Sequence, residues 1–167
     1  MRVDTRWLSP DQMAAWVRLT AVLELLPAAL DSQLRRDAQL THFDYYVLAM
    51  LSEAPGRTLR MTALAEQTAA TLARLSHVVQ RLETRGLLER FPCPEDRRAT
   101  NARLTEAGWA KVREAAPGHV DAVRENVIDA LTPEQVTQLA AIADAILHRL
   151  DPDRARAAIY ERYDSTN

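Results

Sequence analysis

Lysine is nearly absent from this chain: Lys111 is the only one in 167 residues, so almost all positive charge is carried by arginine. Cysteine occurs once, as Cys93, which excludes an internal disulfide framework and fits a reducing compartment. There are only four glycines, and none sits in a P-loop; no nucleophile elbow and no HExxH motif is present either. The four histidines (42, 77, 119 and 148) are scattered, and no Cys/His/acid cluster has the spacing of metal ligands. These absences point away from an enzyme, a bound metal or a cofactor. No apolar run approaches the roughly 20 residues of a membrane span, and the N-terminal MRVDTRWLSPDQ lacks the apolar centre of a signal peptide. A cytoplasmic protein without a membrane partner is expected.

What is present is a chain that is 47% hydrophobic, long enough for one domain, or for one domain with an added dimerisation element. The net charge of −2 is unevenly spread. Residues 57–104 hold nine arginines against five acids, a local charge of +4, which leaves −6 for the remainder. A basic middle between acidic ends suits either a nucleic-acid surface or an ordinary solvated, arginine-rich face.

Helix signals follow in order. Ser9-Pro10-Asp11-Gln12 supplies an N-cap, a proline at the first helical position and a capping-box glutamine. Apolar residues then recur from Met13 to Leu34, and Pro27 is expected to kink or break this first helix. Thr41 caps a second helix that Pro55-Gly56 ends. Residues 57–60 read as an extended link, 61–69 as a third helix, and Thr71 caps a fourth that runs to Arg85 and stops at Gly86. Two short strands, 87–91 and 102–104, flank a loop with Pro92 and Pro94. Thr105 caps a long fifth helix, expected to be interrupted near Pro117-Gly118. Thr132-Pro133-Glu134-Gln135 opens a sixth, with Val136, Leu139, Ile142, Ala143, Ile146, Leu147 and Leu150 along one face.

Two short helices, a tight turn and a strand pair are the order of a winged helix-turn-helix. The fold class expected is therefore mainly α, with a small β-hairpin wing between N- and C-terminal dimerisation helices. On the fourth helix Leu75, Val78, Val79 and Leu82 form the buried stripe. The opposite surface presents Ala73, Arg74, Ser76, His77, Gln80 and Arg81, with no acid before Glu83. Small residues for close approach, with Arg and Gln donors, suit the major groove. Thr71 adds free backbone N–H groups for a phosphate. The hairpin segment FPCPEDRRATNARLT places Arg97 and Arg98 at a thin tip, where an arginine fits a narrow minor groove, with Asp96 shaping the loop.

The stretch LAEQTAATLARLSHVVQRLETRGLLERFPCPEDRRATNARLTEAG resembles the core of the MarR (multiple-antibiotic-resistance regulator) family. The resemblance rests on Leu64-Ala65, Leu82-Glu83, Arg85-Gly86-Leu87, the Asp96-Arg97-Arg98 wing and the Leu104-Thr105-Glu106-x-Gly108 exit, and it extends over most of residues 9–150. It implies an N-terminal dimerisation region at 9–40, a winged helix-turn-helix DNA-binding domain at 41–104 and C-terminal dimerisation helices at 105–150. The tail, 151–167, lies outside it. It also implies a homodimer on double-stranded DNA at a palindromic operator, repressing transcription until a small anionic or phenolic effector, or an oxidant, releases the DNA. The apolar face of the sixth helix supports a two-fold dimer independently.

Family members that sense peroxide through cysteine carry it near the N-terminal helix, so that role does not transfer to Cys93 in the wing. Trp7, Trp16, His42, Phe43, Tyr45 and Tyr46 could line an effector pocket, with Trp16, His42, Tyr45 and Tyr46 as its candidates; plain core aromatics are the competing reading. A winged-helix module whose basic face meets an acidic protein partner is the rival to DNA binding.

Overall fold

The computed structural model describes residues 5–163. The chain order is α1 (Pro10–Ala38), α2 (His42–Glu53), β1 (Thr58–Arg60), α3 (Met61–Gln67), α4 (Leu72–Thr84), β2 (Leu88–Pro92), β3 (Thr100–Leu104), α5 (Glu106–Asn126), α6 (Pro133–Leu150) and α7 (Ala157–Tyr160). A small antiparallel sheet has the order β1-β3-β2. The architecture is mainly α with a winged helix-turn-helix at its centre.

Local chemistry sets the helix starts. Ser9, Thr41 and Thr132 each form a reciprocal capping box with the residue three positions on, and Thr71 and Thr105 accept from the N–H of Arg74 and Gly108. Each such cap satisfies N–H groups that a helix leaves unpaired, contributing about 1 kcal/mol. At the far end of α4, Gly86 takes a left-handed backbone (φ 72°), which turns the chain into β2.

The two internal prolines do not break their helices. α1 runs through Pro27 as one helix, so the break allowed for there does not occur, and α5 runs through Pro117 without the expected interruption. Both prolines are exposed, so water can take up the carbonyl that each leaves without its N–H partner. A second departure is residues 58–60. They are not a free link but the third strand, pairing Thr58, Leu59 and Arg60 with Arg103, Ala102 and Asn101.

The core lies where α2, α3 and α4 meet the sheet and the inner turns of α1 and α5. Leu34, Leu40, Val47, Leu48, Leu51, Leu64, Leu75, Val79, Leu82 and Leu88 are fully buried. Only the C-terminal third of α1 (Leu30, Gln33, Leu34, Ala38) is buried, and α6 buries no residue at all within the protomer. Trp16, Val17, Leu25, Ile142 and Leu150 stand exposed on these two helices. By length and composition alone, an 18-residue window of α1 is apolar enough to span a membrane, which corrects the expectation that no run comes near that length. Arg18 and Glu24 lie within this apolar stretch, an arrangement costly in a bilayer centre.

Candidate nucleic-acid interface

α4 turns the stripe Leu75, Val78, Val79 and Leu82 inward, and that burial fixes which residues face out. Thr71, Ala73, Arg74, His77 and Gln80 are exposed, with Ser76 half-buried. The first turn of α4 contains no acid. Arg74 lies over the Phe43 ring, its guanidinium carbon 4.2 Å from the centroid, a cation–π contact that holds the side chain against α2.

Arg81 differs from what its place on the polar face suggests. Its guanidinium is bonded to the carboxylate of Asp44, and that carboxylate also accepts from the Thr41 N–H at 2.9 Å as the return half of the α2 capping box. Arg85, one turn on, donates to the Gln39 carbonyl at 3.0 Å. The C-terminal half of α4 is thus tied to α1 and α2, and the N-terminal half carries the accessible polar groups.

The wing is the loop between β2 and β3. Cys93 N–H donates to the Ala99 carbonyl at 2.8 Å, and Ala99 N–H to the Asp96 carbonyl at 2.9 Å. Asp96 Oδ1 accepts from the Arg98 backbone N–H at 3.1 Å and from Arg98 Nε at 3.4 Å. Arg97 and Arg98 are exposed, Arg98 with 94% of its side chain open. Between the wing and α4 lies a notch of about 220 Å³, lined by Arg60, Thr62, Leu72, Ser76, Arg90 and Arg98 among others. Arg60 and Arg90 did not stand out in the sequence, because only the β1–β3–β2 pairing brings them to the same edge as Ser76.

Much of the local positive charge is already partnered. Glu83 accepts from Arg90 side chain and backbone at 2.7–2.9 Å, and these bonds, the Arg90 side chain first, hold its carboxyl below the usual range. Arg103 meets Glu89 at 2.7 Å and Arg57 meets Glu106 at 2.9 Å. Glu83 and Glu89 are already subtracted in the +4 of residues 57–104, whereas Arg57 and Arg81 pair with Glu106 and Asp44 outside that stretch, so the +4 overstates the charge left for a partner.

Cys93 is buried at the root of the wing. Arg60 Nη2 lies 3.5 Å from its sulfur. Backbone N–H groups of Glu95 and Asp96, helped by Arg60 and opposed by burial, lower the thiol below its ordinary value. Among the described residues no group of His, Cys, Asp and Glu could hold a metal ion.

Within the protomer the four residues proposed for an effector pocket are not brought together. Trp16 is exposed on the outer part of α1, where no residue before Leu30 is fully buried. Tyr46 donates to the Gln67 carbonyl at 3.2 Å, on a different side of α2. His42 and Tyr45 do converge, with His119 of α5: ring centroids are 6.1 Å apart for His42–His119 and 4.5 Å for Tyr45–His119. Burial lowers both imidazoles; the neighbouring His42 lowers His119 further, and Asp31 opposes the shift at His42; burial raises the Tyr45 phenol. His119 Nδ1 and Gln33 Oε1 are buried without a hydrogen-bond partner among the described residues.

Comparison with known proteins places this geometry in context. Residues 38–99 match a family model described as MarR family. A MarR family transcriptional regulator from Streptomyces coelicolor, crystallised in complex with DNA, is 44% identical, with a TM-score of 0.85 over 89% of this chain and 93% of that one. AbsC, a MarR family transcriptional regulator from the same organism, is 39% identical, with a TM-score of 0.84 over 89% of this chain and 99% of that one. The transcriptional regulator HosA of Escherichia coli O111:H- is 33% identical over 96 residues, 58% of this chain and 69% of HosA. The chain spans about half the length of two other curated regulators that it matches, 54% and 48%.

Proposed function

The chain belongs to the MarR family of transcriptional regulators, and from that premise we propose that it is a homodimeric, cytoplasmic repressor that binds a palindromic operator in double-stranded DNA. α4 enters the major groove by its N-terminal half, with Thr71, Ala73, Arg74, Ser76, His77 and Gln80 toward the bases and phosphates. Arg97 and Arg98 of the wing enter the adjacent minor groove, and Asp96 keeps the tip in shape. Arg81 serves the fold through Asp44. The observation that carries this reading is the pairing of an acid-free, exposed α4 face with an arginine-tipped wing across one notch. Donors at base edges specify sequence, and arginines at the backbone and minor groove supply affinity.

Dimerisation is supported by α1 and α6. An 18-residue helix that buries nothing in its own protomer lacks the tertiary packing that most helices depend on. A second copy covers both helices by a two-fold axis, which also matches a two-fold operator. This division assigns 9–40 and 105–150 to the dimer and 41–104 to DNA. An effector that is small and anionic or phenolic would meet His42, Tyr45 and His119, where α1, α2 and α5 adjoin.

The test is selection of duplexes from a randomised pool by the purified protein, followed by sedimentation of the complex. Enrichment of a palindrome bound by two protomers is expected. Failure to enrich any sequence, or a stable folded monomer at micromolar concentration, overturns the reading.

A further inference from the structure

The tail after α6 folds back onto the helix-turn-helix. Asp151 organises its first turn: the carboxylate accepts from the Ala155 and Arg156 N–H groups at 3.0 and 3.1 Å and from the Tyr160 hydroxyl at 2.6 Å. That turn aims Arg156 at the end of α3. Arg156 Nε donates to the Gln67 carbonyl at 3.1 Å, and Nη2 donates to the Tyr46 hydroxyl at 3.2 Å. The same hydroxyl donates to Gln67, so three groups from α2, α3 and the tail close one ring of hydrogen bonds. A second attachment lies further on, where Arg162 pairs with Glu53 and the Tyr163 hydroxyl donates to Glu53 at 3.4 Å.

Gln67 is the last residue of α3, so its carbonyl is one that the helix leaves unpaired. Beyond it a tight turn leads to Thr71 and α4: Thr68, Ala69 and Ala70 donate to the Leu64, Glu66 and Ala65 carbonyls, and Ala69 is held at φ 49°. Alanine reaches that left-handed region only at a cost, and contacts around the turn must hold it there. α6, meanwhile, buries nothing in its own protomer. Its C-terminal end reaches the rest of the chain through this tail.

We propose that residues 151–163 are a strap that fixes the helix-turn-helix relative to α6, with Arg156 as the positioning residue. The strap ties the α3–α4 turn, and so the direction of α4, to the helix that a second copy covers. Any shift of α6 reaches the recognition surface through Arg156 and Gln67. The consequence for DNA rests on the function proposed above; the strap itself does not.

The experiment uses the full chain with Arg156→Ala, Arg156→Lys and Tyr46→Phe. Hydrogen exchange in the free protein is read at the amides of Thr68, Ala69 and Ala70, with those of Leu34 to Ala38 as an internal control of folding. Affinity is read on a duplex selected by the wild-type protein and on a random-sequence duplex. Arg156→Ala should raise exchange in the turn by about tenfold, the scale of one hydrogen bond from a charged donor, and leave the α1 amides unchanged. It should weaken the selected duplex by a similar factor and the random duplex little. Arg156→Lys, which keeps charge but not the fork, should restore part of both effects. Tyr46→Phe should loosen the same turn. Unchanged exchange in both Arg156→Ala and Tyr46→Phe overturns the strap, and faster exchange with unchanged affinity for the selected duplex overturns the positioning role. If the wild-type protein selects no duplex, the proposed function fails and the strap is judged on exchange alone.

Discussion

Arg81, on the polar face of α4, is bonded to Asp44, whose side chain is only 3% exposed at the first turn of α2. The pair joins α4 to α2 behind it. Asp44→Ala removes both this bond and the capping-box acceptor of the Thr41 N–H. Because Arg81 itself is half exposed, water can take up its freed charge, and the cost should be about 2–3 kcal/mol rather than that of a fully buried pair. Arg81→Ala should lower the melting temperature as well, since it leaves a buried carboxylate short of a partner. A DNA-contacting arginine would weaken binding with no change in melting temperature, so thermal unfolding of Arg81→Ala in the absence of DNA distinguishes the two roles.

Gly108 answers to a different constraint. A Cβ at this position would lie 1.9 Å from the Leu87 carbonyl oxygen and 2.7 Å from Leu104 Cδ1. The backbone approach exists because Thr105, the cap of α5, donates its N–H to that carbonyl at 3.2 Å. Gly108→Ala would gain about 1 kcal/mol of helix propensity, but α5 would have to move off the sheet. A net loss of about 2 kcal/mol or more is expected by urea unfolding. A neutral or stabilising substitution would mean that the contact yields without cost.

His42 and His119 should make the fold acid-sensitive. Burial lowers both below the ordinary 6.5, so the unfolded chain takes up protons that the folded chain resists. Stability is then full above about pH 6.5 and falls as the pH drops below it, continuing until the folded pKa values are passed. The groups around the pair are Asp31, which accepts from the His42 N–H and from Arg35, and Tyr45, whose ring packs on His119. Asp31 favours protonation of His42 and softens the effect there, so His119 should dominate. Urea midpoints between pH 7.5 and 5.5 should fall less in His119→Gln than in the wild type; parallel profiles would remove the pair from the account.

Local signals were the legible part of this structure. Caps at Ser9, Thr41, Thr71, Thr105 and Thr132, the stripe Leu75–Leu82 and the Gly86 stop depend on residues within a few positions of one another, and each is present. What the sequence did not reveal depends on distant partners. Asp44 and Arg81 lie 37 residues apart, and Arg156 and Gln67 lie 89 apart. No periodicity marks either pair. Three residues, 58–60, are too few to show alternation, so β1 is visible only through its pairing with β3. Pro27 and Pro117 misled for a related reason: whether a proline ends a helix depends on where the orphaned carbonyl points, which tertiary packing decides. The aromatics around α2 separated for the same cause, since Tyr45 and Tyr46 are neighbours in sequence but face different elements.

The wing and α4 should fail in different ways, and salt separates them. The measurement is a salt titration of affinity for the wild-type protein, Arg98→Ala and Gln80→Ala, each on the duplex selected by the wild type and on random-sequence DNA. Arg98→Ala should weaken both DNAs alike and make binding less salt-dependent by roughly one unit of log–log slope per phosphate no longer neutralised. Asp96→Ala, which frees the tip, should resemble it. Gln80→Ala should keep the slope, cost about 1–3 kcal/mol on the selected duplex if its base contact is good, and narrow the gap to random DNA. Wild-type affinity and slope for Arg98→Ala on both DNAs would contradict the account, and the wing arginines would then be a solvated loop.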